Sequence, residues 1–192
     1  MKKFESFDTA QAPQEAAERL PAGGYILKIL DAEEATFSNG GQALRISFDI
    51  TEGEYKDFYK NNYATQKKED KKWKGVYTAY IPKEDGTEQD AWTASAFKGM
   101  TEAVENSNKG FHWDWDEKKL KNKTVGGMFG NKEYSFNGHE GFYTDCRFFT
   151  DVEKIRSGKL KPVKDKLLNK NGKKAEELTD FEPMDEDAEL PF

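Results

Sequence analysis

Residues 44–51, LRISFDIT, carry the plainest pattern in the chain: Leu44, Ile46, Phe48 and Ile50 alternate with Arg45, Ser47, Asp49 and Thr51. A period of two belongs to a β-strand with one face in a core and the other toward water. Just upstream, FSNGGQ supplies a turn at residues 38–41, and residues 25–30 form a β-rich apolar run opened by Pro21 and the Gly23-Gly24 pair. An apolar run, an Asn-Gly turn and an alternating strand make a β-hairpin. The fold is therefore read outward from a sheet.

Residues 52–74 interrupt the pattern with a long polar insertion containing Tyr55, Phe58, Tyr59 and Tyr63. WKGVYTAYIP, residues 73–82, restores strand character and ends at Pro82 and an Asp85-Gly86 turn. From Asp90, a plausible N-cap, the period becomes helical: Trp92, Ala96, Met100, Ala103 and Val104 share one face with Phe97 beside them. Residues 124–136 and 141–152 then form a last antiparallel pair around Asn137-Gly138. On its second strand, alternation puts Phe142, Thr144, Cys146 and Phe148 on one side and Tyr143, Asp145, Arg147 and Phe149 on the other. Three strands, a helix and two strands is the order of the five-stranded OB-fold barrel, with one helix between strands 3 and 4. An unrelated β-barrel or an α+β roll gives the same string. The expected organisation is an N-terminal arm (1–20), an OB-fold domain (21–153), a basic linker (154–174) and a disordered acidic tail (175–192).

Composition sets the limits. Charged residues make up 34% of the 192 residues and hydrophobic ones 35%, yet aromatics reach 14%. That suits one aromatic-rich core with polar appendages. The single Cys146 excludes an internal disulfide and a cysteine-based zinc site, and favours a reducing compartment. No signal-peptide pattern and no apolar run near eighteen residues is present, so a soluble, cytoplasmic protein without membrane association is expected. The net charge of −6 averages two regions: eight of the 36 acids lie within residues 175–192 beside no Lys or Arg, leaving 28 acids against 30 bases in residues 1–174. Such asymmetry points to nucleic-acid contact combined with an acidic tail.

No catalytic constellation stands out. His112 and His139 lack an H-x-E or H-E-x-x-H context, and TVGGMFG lacks the Lys and helix of a phosphate cradle. Asp114, Asp116 and Glu117 in FHWDWDE are conceivable ligands for a hard metal, but an exposed turn beside a strand is the simpler reading. No enzyme activity and no cofactor are expected. The stronger pattern is lysine interleaved with aromatics: Lys56, Lys60, Lys67, Lys68, Lys71, Lys72 and Lys74 lie among Tyr59, Tyr63, Trp73 and Tyr77. Single-stranded DNA held without sequence reading needs this mixture, because ammonium groups follow phosphates and flat rings stack on any base. Taken singly, each ring reads more readily as core, and the lysines could simply solvate a loop. Arg45, Tyr143 and Arg147 on outward strand faces complete the candidate DNA-binding set, with Phe149 on the same outward face as a further candidate.

The chain closes on DEDAELPF, residues 185–192. Repelling carboxylates, a Pro and a lone Phe cannot build a core, which predicts a disordered segment. An OB-like body, a basic linker and an acidic tip ending Pro-Phe together resemble single-stranded-DNA-binding proteins of bacteria and their phages. Asp185, Glu186, Asp187, Leu190, Pro191 and Phe192 match that tip, with Glu-Leu where Asp-Ile is commoner. Residues 20–150, opening LPAGGYILKILDAEEATFSNGGQALRISFDITEGEYKDFY, also resemble small phage proteins encoded beside recombination and replication genes. The resemblance implies single-stranded DNA as one partner, and replication or recombination proteins recruited through a pocket for the terminal Phe as others. A homo-oligomer is compatible with it. A protein-interaction adaptor or inhibitor with a DNA-mimicking tail, and a metal-dependent nuclease, are the alternatives.

Overall fold

A computed structural model describes residues 19–67, 69–136 and 139–168. Its centre is one antiparallel sheet of five strands: β1 (Gly23–Thr36), β2 (Gln42–Ile50), β3 (Val76–Tyr80), β4 (Thr124–Phe136) and β5 (His139–Thr150). Three helices accompany them: α1 (Phe58–Thr65), α2 (Glu88–Ser107) and α3 (Val152–Arg156). The strand order is β3-β2-β1-β4-β5. β1 is long enough to serve two neighbours, pairing β2 from Leu27 onward and β4 over Gly23–Lys28. A register shift between Ile29 and Asp31 bends it between the two tasks.

The sheet curls, but no β3–β5 ladder closes it among the described residues. The two edges meet through side chains instead: Tyr77 of β3 and Phe149 of β5 have ring centroids 4.5 Å apart. Leu44, Ile46, Phe48 and Ile50 are all buried, as their alternation requires, and pack with Leu27, Ile29, Val125 and Phe129. Met100, Ala103 and Val104 of α2 join this core, while Trp92 and Phe97 are half-buried. The N-cap of α2 is Thr87, whose side chain accepts from the Asp90 N–H, so Asp90 sits in the first turn rather than at the cap.

Four expectations are corrected. The insertion after β2 is not all loop, because α1 lies in it. Leu20, assigned to the N-terminal arm, is a core residue, and its carbonyl accepts from Thr144 Oγ1 at 2.6 Å. The basic linker is attached to the sheet in its described part, up to residue 168. β4 outruns β1 beyond Phe129, which leaves a free edge, and residues around Lys166 run parallel to it. There Lys166 N–H donates to Asn131 O and Glu133 N–H to Lys166 O, both at 2.9 Å. Finally, strict alternation fails on β5. A bulge sets Phe129 opposite Cys146 and Met128 opposite Phe148, so both Cys146 and Phe149 face inward.

Candidate nucleic-acid interface

The candidate surface is built on α1 and the loop that follows it. α1 has no side-chain cap of its own, since Asp57 sits in a left-handed conformation and makes no capping bond. Its anchor comes from β2. The buried Asp49 carboxylate accepts from the N–H groups of Tyr59 and Lys60 at 3.0 Å and of Ile50 at 2.9 Å. A carboxylate against unpaired helix-start donors satisfies both charge and hydrogen bonding. Linear alternation turned Asp49 toward water, but the helix that covers it turns that position inward.

The lysine loop is clasped to the far end of the helix. The Gln66 side-chain amide accepts from Lys72 N–H and donates to Lys72 O, both at 2.9 Å, imitating one rung of a β-ladder. Trp73 then turns inward. Its indole N–H is shared between the carbonyls of Phe48 and Gly75, each at 3.1 Å. Gly75 allows this approach, because a Cβ there would stand 2.4 Å from Phe48 O and 2.8 Å from the Tyr59 ring. Neither Gln66 nor Gly75 was a sequence candidate. The partner of Gln66 lies across a loop, and no periodic pattern reports that.

These contacts sort the predicted residues. Tyr59 is in the core, its ring edge-on to Phe48 and Phe58, and burial pushes its hydroxyl pKa far above the ordinary tyrosine value. It is out of reach of a base. Tyr77 is likewise committed to Phe149, with its pKa raised by burial. Arg147 is also used internally. Its guanidinium meets Asp145 at 3.0 Å and donates to Asn131 O at 2.6 Å, with only 9% of the side chain exposed. Arg45 remains on the outer face, facing Glu33 at 3.9 Å. Tyr143 is exposed on the β4–β5 arm near Tyr134.

Tyr63 and Trp73 pair at 5.9 Å, and the Lys71 ammonium stands 5.7 Å from the Tyr63 ring centre while donating to Ala64 O. Lys67, Lys72 and Lys74, close to the pair along the chain, are exposed, as is Lys56 before the start of α1. Here a half-exposed aromatic pair stands beside a cation, with further lysines close in the chain, which suits stacking with phosphate contact at its margin. Lys68 lies outside the described residues, as do Asp185, Glu186, Asp187, Leu190, Pro191 and Phe192.

In the alternative metal cluster, two of the three carboxylates are already engaged by one lysine. Lys119 forms ion pairs with Asp114 and Asp116, which lowers the Asp114 carboxyl pKa through its hydrogen bond to the ammonium group. Among the described residues, no group of three or more His, Cys, Asp or Glu side chains converges as a metal site. No helix among them is long and apolar enough to cross a membrane. Burial raises the Cys146 thiol pKa well above its ordinary value, which disfavours the thiolate. Compared with protein-family models and with curated proteins, the chain matches none.

Proposed function

We propose that this chain binds single-stranded DNA without reading its sequence, through an OB-type barrel left open between β3 and β5. The observation that carries the reading is the joining of Tyr63, Trp73 and Lys71 into one surface, with the exposed Lys67, Lys72 and Lys74 close by in the chain. Two supports stand behind it. The order β3-β2-β1-β4-β5 with α2 between β3 and β4 is compatible with an OB-type barrel, a fold whose strand face and loops bind oligonucleotides. The charge division between body and tail gives phosphates a body that does not repel them.

The work proposed for it is non-catalytic: covering single strands during replication or recombination of phage or bacterial DNA in the cytoplasm. The acidic residues from Glu176 to Glu189 would recruit basic partner proteins, with Leu190, Pro191 and Phe192 supplying an apolar contact. Anisotropy of labelled oligo-dT, titrated at two salt concentrations, tests the core of this reading. Saturable binding that weakens with salt is expected. An adaptor shows no affinity, and a nuclease shortens the oligonucleotide when Mg²⁺ is added. For the tail, a lysate pull-down comparing the full chain with one lacking residues 185–192 should lose replication or recombination proteins. Equal recovery would reduce the tail to a solubilising segment.

A further inference from the structure

The connection from α2 to β4, residues 108–123, holds a second grouping of lysines and aromatics, unlike the first in how its ring is presented. Trp115 is 79% exposed, the most exposed large apolar side chain among the described residues. It lies parallel to Phe97, 9° from coplanar with centroids 6.3 Å apart, and Trp113 stands 6.2 Å away. Its backbone is left-handed, at φ 67°. That conformation is costly for a bulky residue, and Gly would hold it without strain. A sequence selected only for a turn here would carry Gly or Asn. A tryptophan with most of its ring in water, kept where the backbone disfavours it, is the kind of outlier that points to a use.

The same connection also forms an open hollow lined by Lys109, Lys118, Lys119, Lys121 and Lys123, with Phe111, His112 and the Asp114 carboxylate among them. Lys119 is taken by Asp114 and Lys121 stands 3.7 Å from Asp31, while Lys123 covers the Phe111 ring at 4.5 Å. Lys109 and Lys118 are exposed and have no carboxylate partner among the described residues. The hollow keeps a surplus of positive charge even after its internal pairs are counted.

The scaffold under both features is fixed. Leu120 is fully buried, and Asn108 clasps Thr124 through two bonds of 2.7 and 3.0 Å. Ile29 exchanges backbone bonds of 2.8 Å with Lys123 and Asn122. Trp113 N–H donates to Glu105 at 2.7 Å. Ring and lysines are therefore presented on a rigid platform rather than on a drifting loop, which lowers the ordering cost of binding.

We propose that Trp115 and the lysine hollow form a second contact site for single-stranded nucleic acid, where one base stacks on Trp115 and adjoining phosphates sit over Lys109 and Lys118. The proposal rests on the single-strand-binding reading above and adds a station on a different part of the molecule. A stacked base occupies the face of Trp115 that points away from Phe97. The strand then leaves the α1 surface and is held a second time.

Trp115→Gly isolates the claim, because it removes the ring while relieving the left-handed backbone. The probe is oligo-dT, with the full chain. Thermal stability should hold or rise, while affinity falls about five- to a hundredfold, the range for loss of one stacked base. Lys109→Ala with Lys118→Ala should flatten the log-affinity against log-salt slope by about 1.4. Trp115→Phe, which keeps a stackable ring, should bind within a few-fold of wild type but lose the largest share of oligo-dT fluorescence quenching. The inference is overturned if Trp115→Gly binds like wild type, or if quenching survives intact in Trp115→Phe, while a Lys71→Ala, Lys72→Ala variant weakens. That outcome would leave the parent reading standing. Wild-type protein that fails to bind oligo-dT at low salt would remove both.

Discussion

The segments 56–74 and 109–123 both set lysines among aromatic rings, yet the fold treats Trp73 of the first and Trp115 of the second in opposite ways. Trp73 is tied by its N–H to two carbonyls beneath it and offers only part of its face, beside Tyr63. Trp115 makes no hydrogen bond through its ring among the described residues and stands in water on Phe97. The first segment depends on tertiary anchors, Asp49 under α1 and Gln66 across the loop. The second is stitched to β1 and β4 by backbone bonds and the Asn108 clasp. A shared mixture of lysines and rings thus hides unequal roles, and burial with hydrogen bonding is what separates them.

The sharpest way to break the comparison is to cut the anchor that only one segment uses. Asp49→Ala strands two buried N–H groups and one part-buried one, so stability should fall by about 3 kcal/mol. For a domain of this size that lowers the melting temperature by roughly 6–12 °C, read by thermal denaturation. Exchange protection should drop in α1 and the Lys72 loop and survive around Asn108 and Thr124. Uniform loss would mean that the two segments are not independently anchored.

Gly75→Ala should cost about 2 kcal/mol, since the new Cβ overlaps Phe48 O and the Tyr59 ring. An unchanged denaturation midpoint would show that the Trp73 turn relaxes freely. Binding comes next in size. Lys71→Ala, Lys72→Ala and Lys74→Ala together should flatten the salt slope of oligo-dT affinity by about two units while the fold is kept. A slope equal to wild type takes this loop out of the DNA path. The smallest effect is expected from Trp73→Phe, which should keep most of the oligo-dT quenching because its ring is half hidden. Should quenching vanish, the ranking of the two tryptophans is reversed.

Alkaline pH probes the core beneath both segments. Burial, with help from Tyr55 and Glu54 nearby, pushes the Tyr25 hydroxyl pKa up to about 12, against 10.0 unperturbed. The neutral form is thus favoured by folding. Its stability contribution is complete below pH 10 and is lost as pH rises toward 12. Tyr25→Phe should reduce the alkaline fall in melting temperature, and an identical pH profile would exclude Tyr25 from it.

The sheet was legible because its cues are local. The alternation of Leu44, Ile46, Phe48 and Ile50, the helical face of Met100, Ala103 and Val104, and the Asn137-Gly138 turn signal each lie within a short window. What stayed hidden depends on contacts between windows. Phe149 reads as outward until the bulge opposite Met128 and Phe129 reverses it. Arg147 reads as a free cation until Asp145 and the Asn131 carbonyl claim it. Asp49 reads as exposed, and Tyr59 stays among the stacking candidates, because α1 is short and its anchor sits ten residues earlier on another element. Trp115 looked like part of an acidic turn, since φ does not show in a string of letters. The lysine loop was found, but which of its aromatics face outward was not.

Hydrogen–deuterium exchange of the full chain, with and without saturating oligo-dT, tests the central claim most directly. The account predicts added protection in residues 61–74 and again in 109–123, weakening together as salt is raised, with the buried strands β1 and β2 unchanged. Oligo-dT that is demonstrably bound while neither segment gains protection would contradict it.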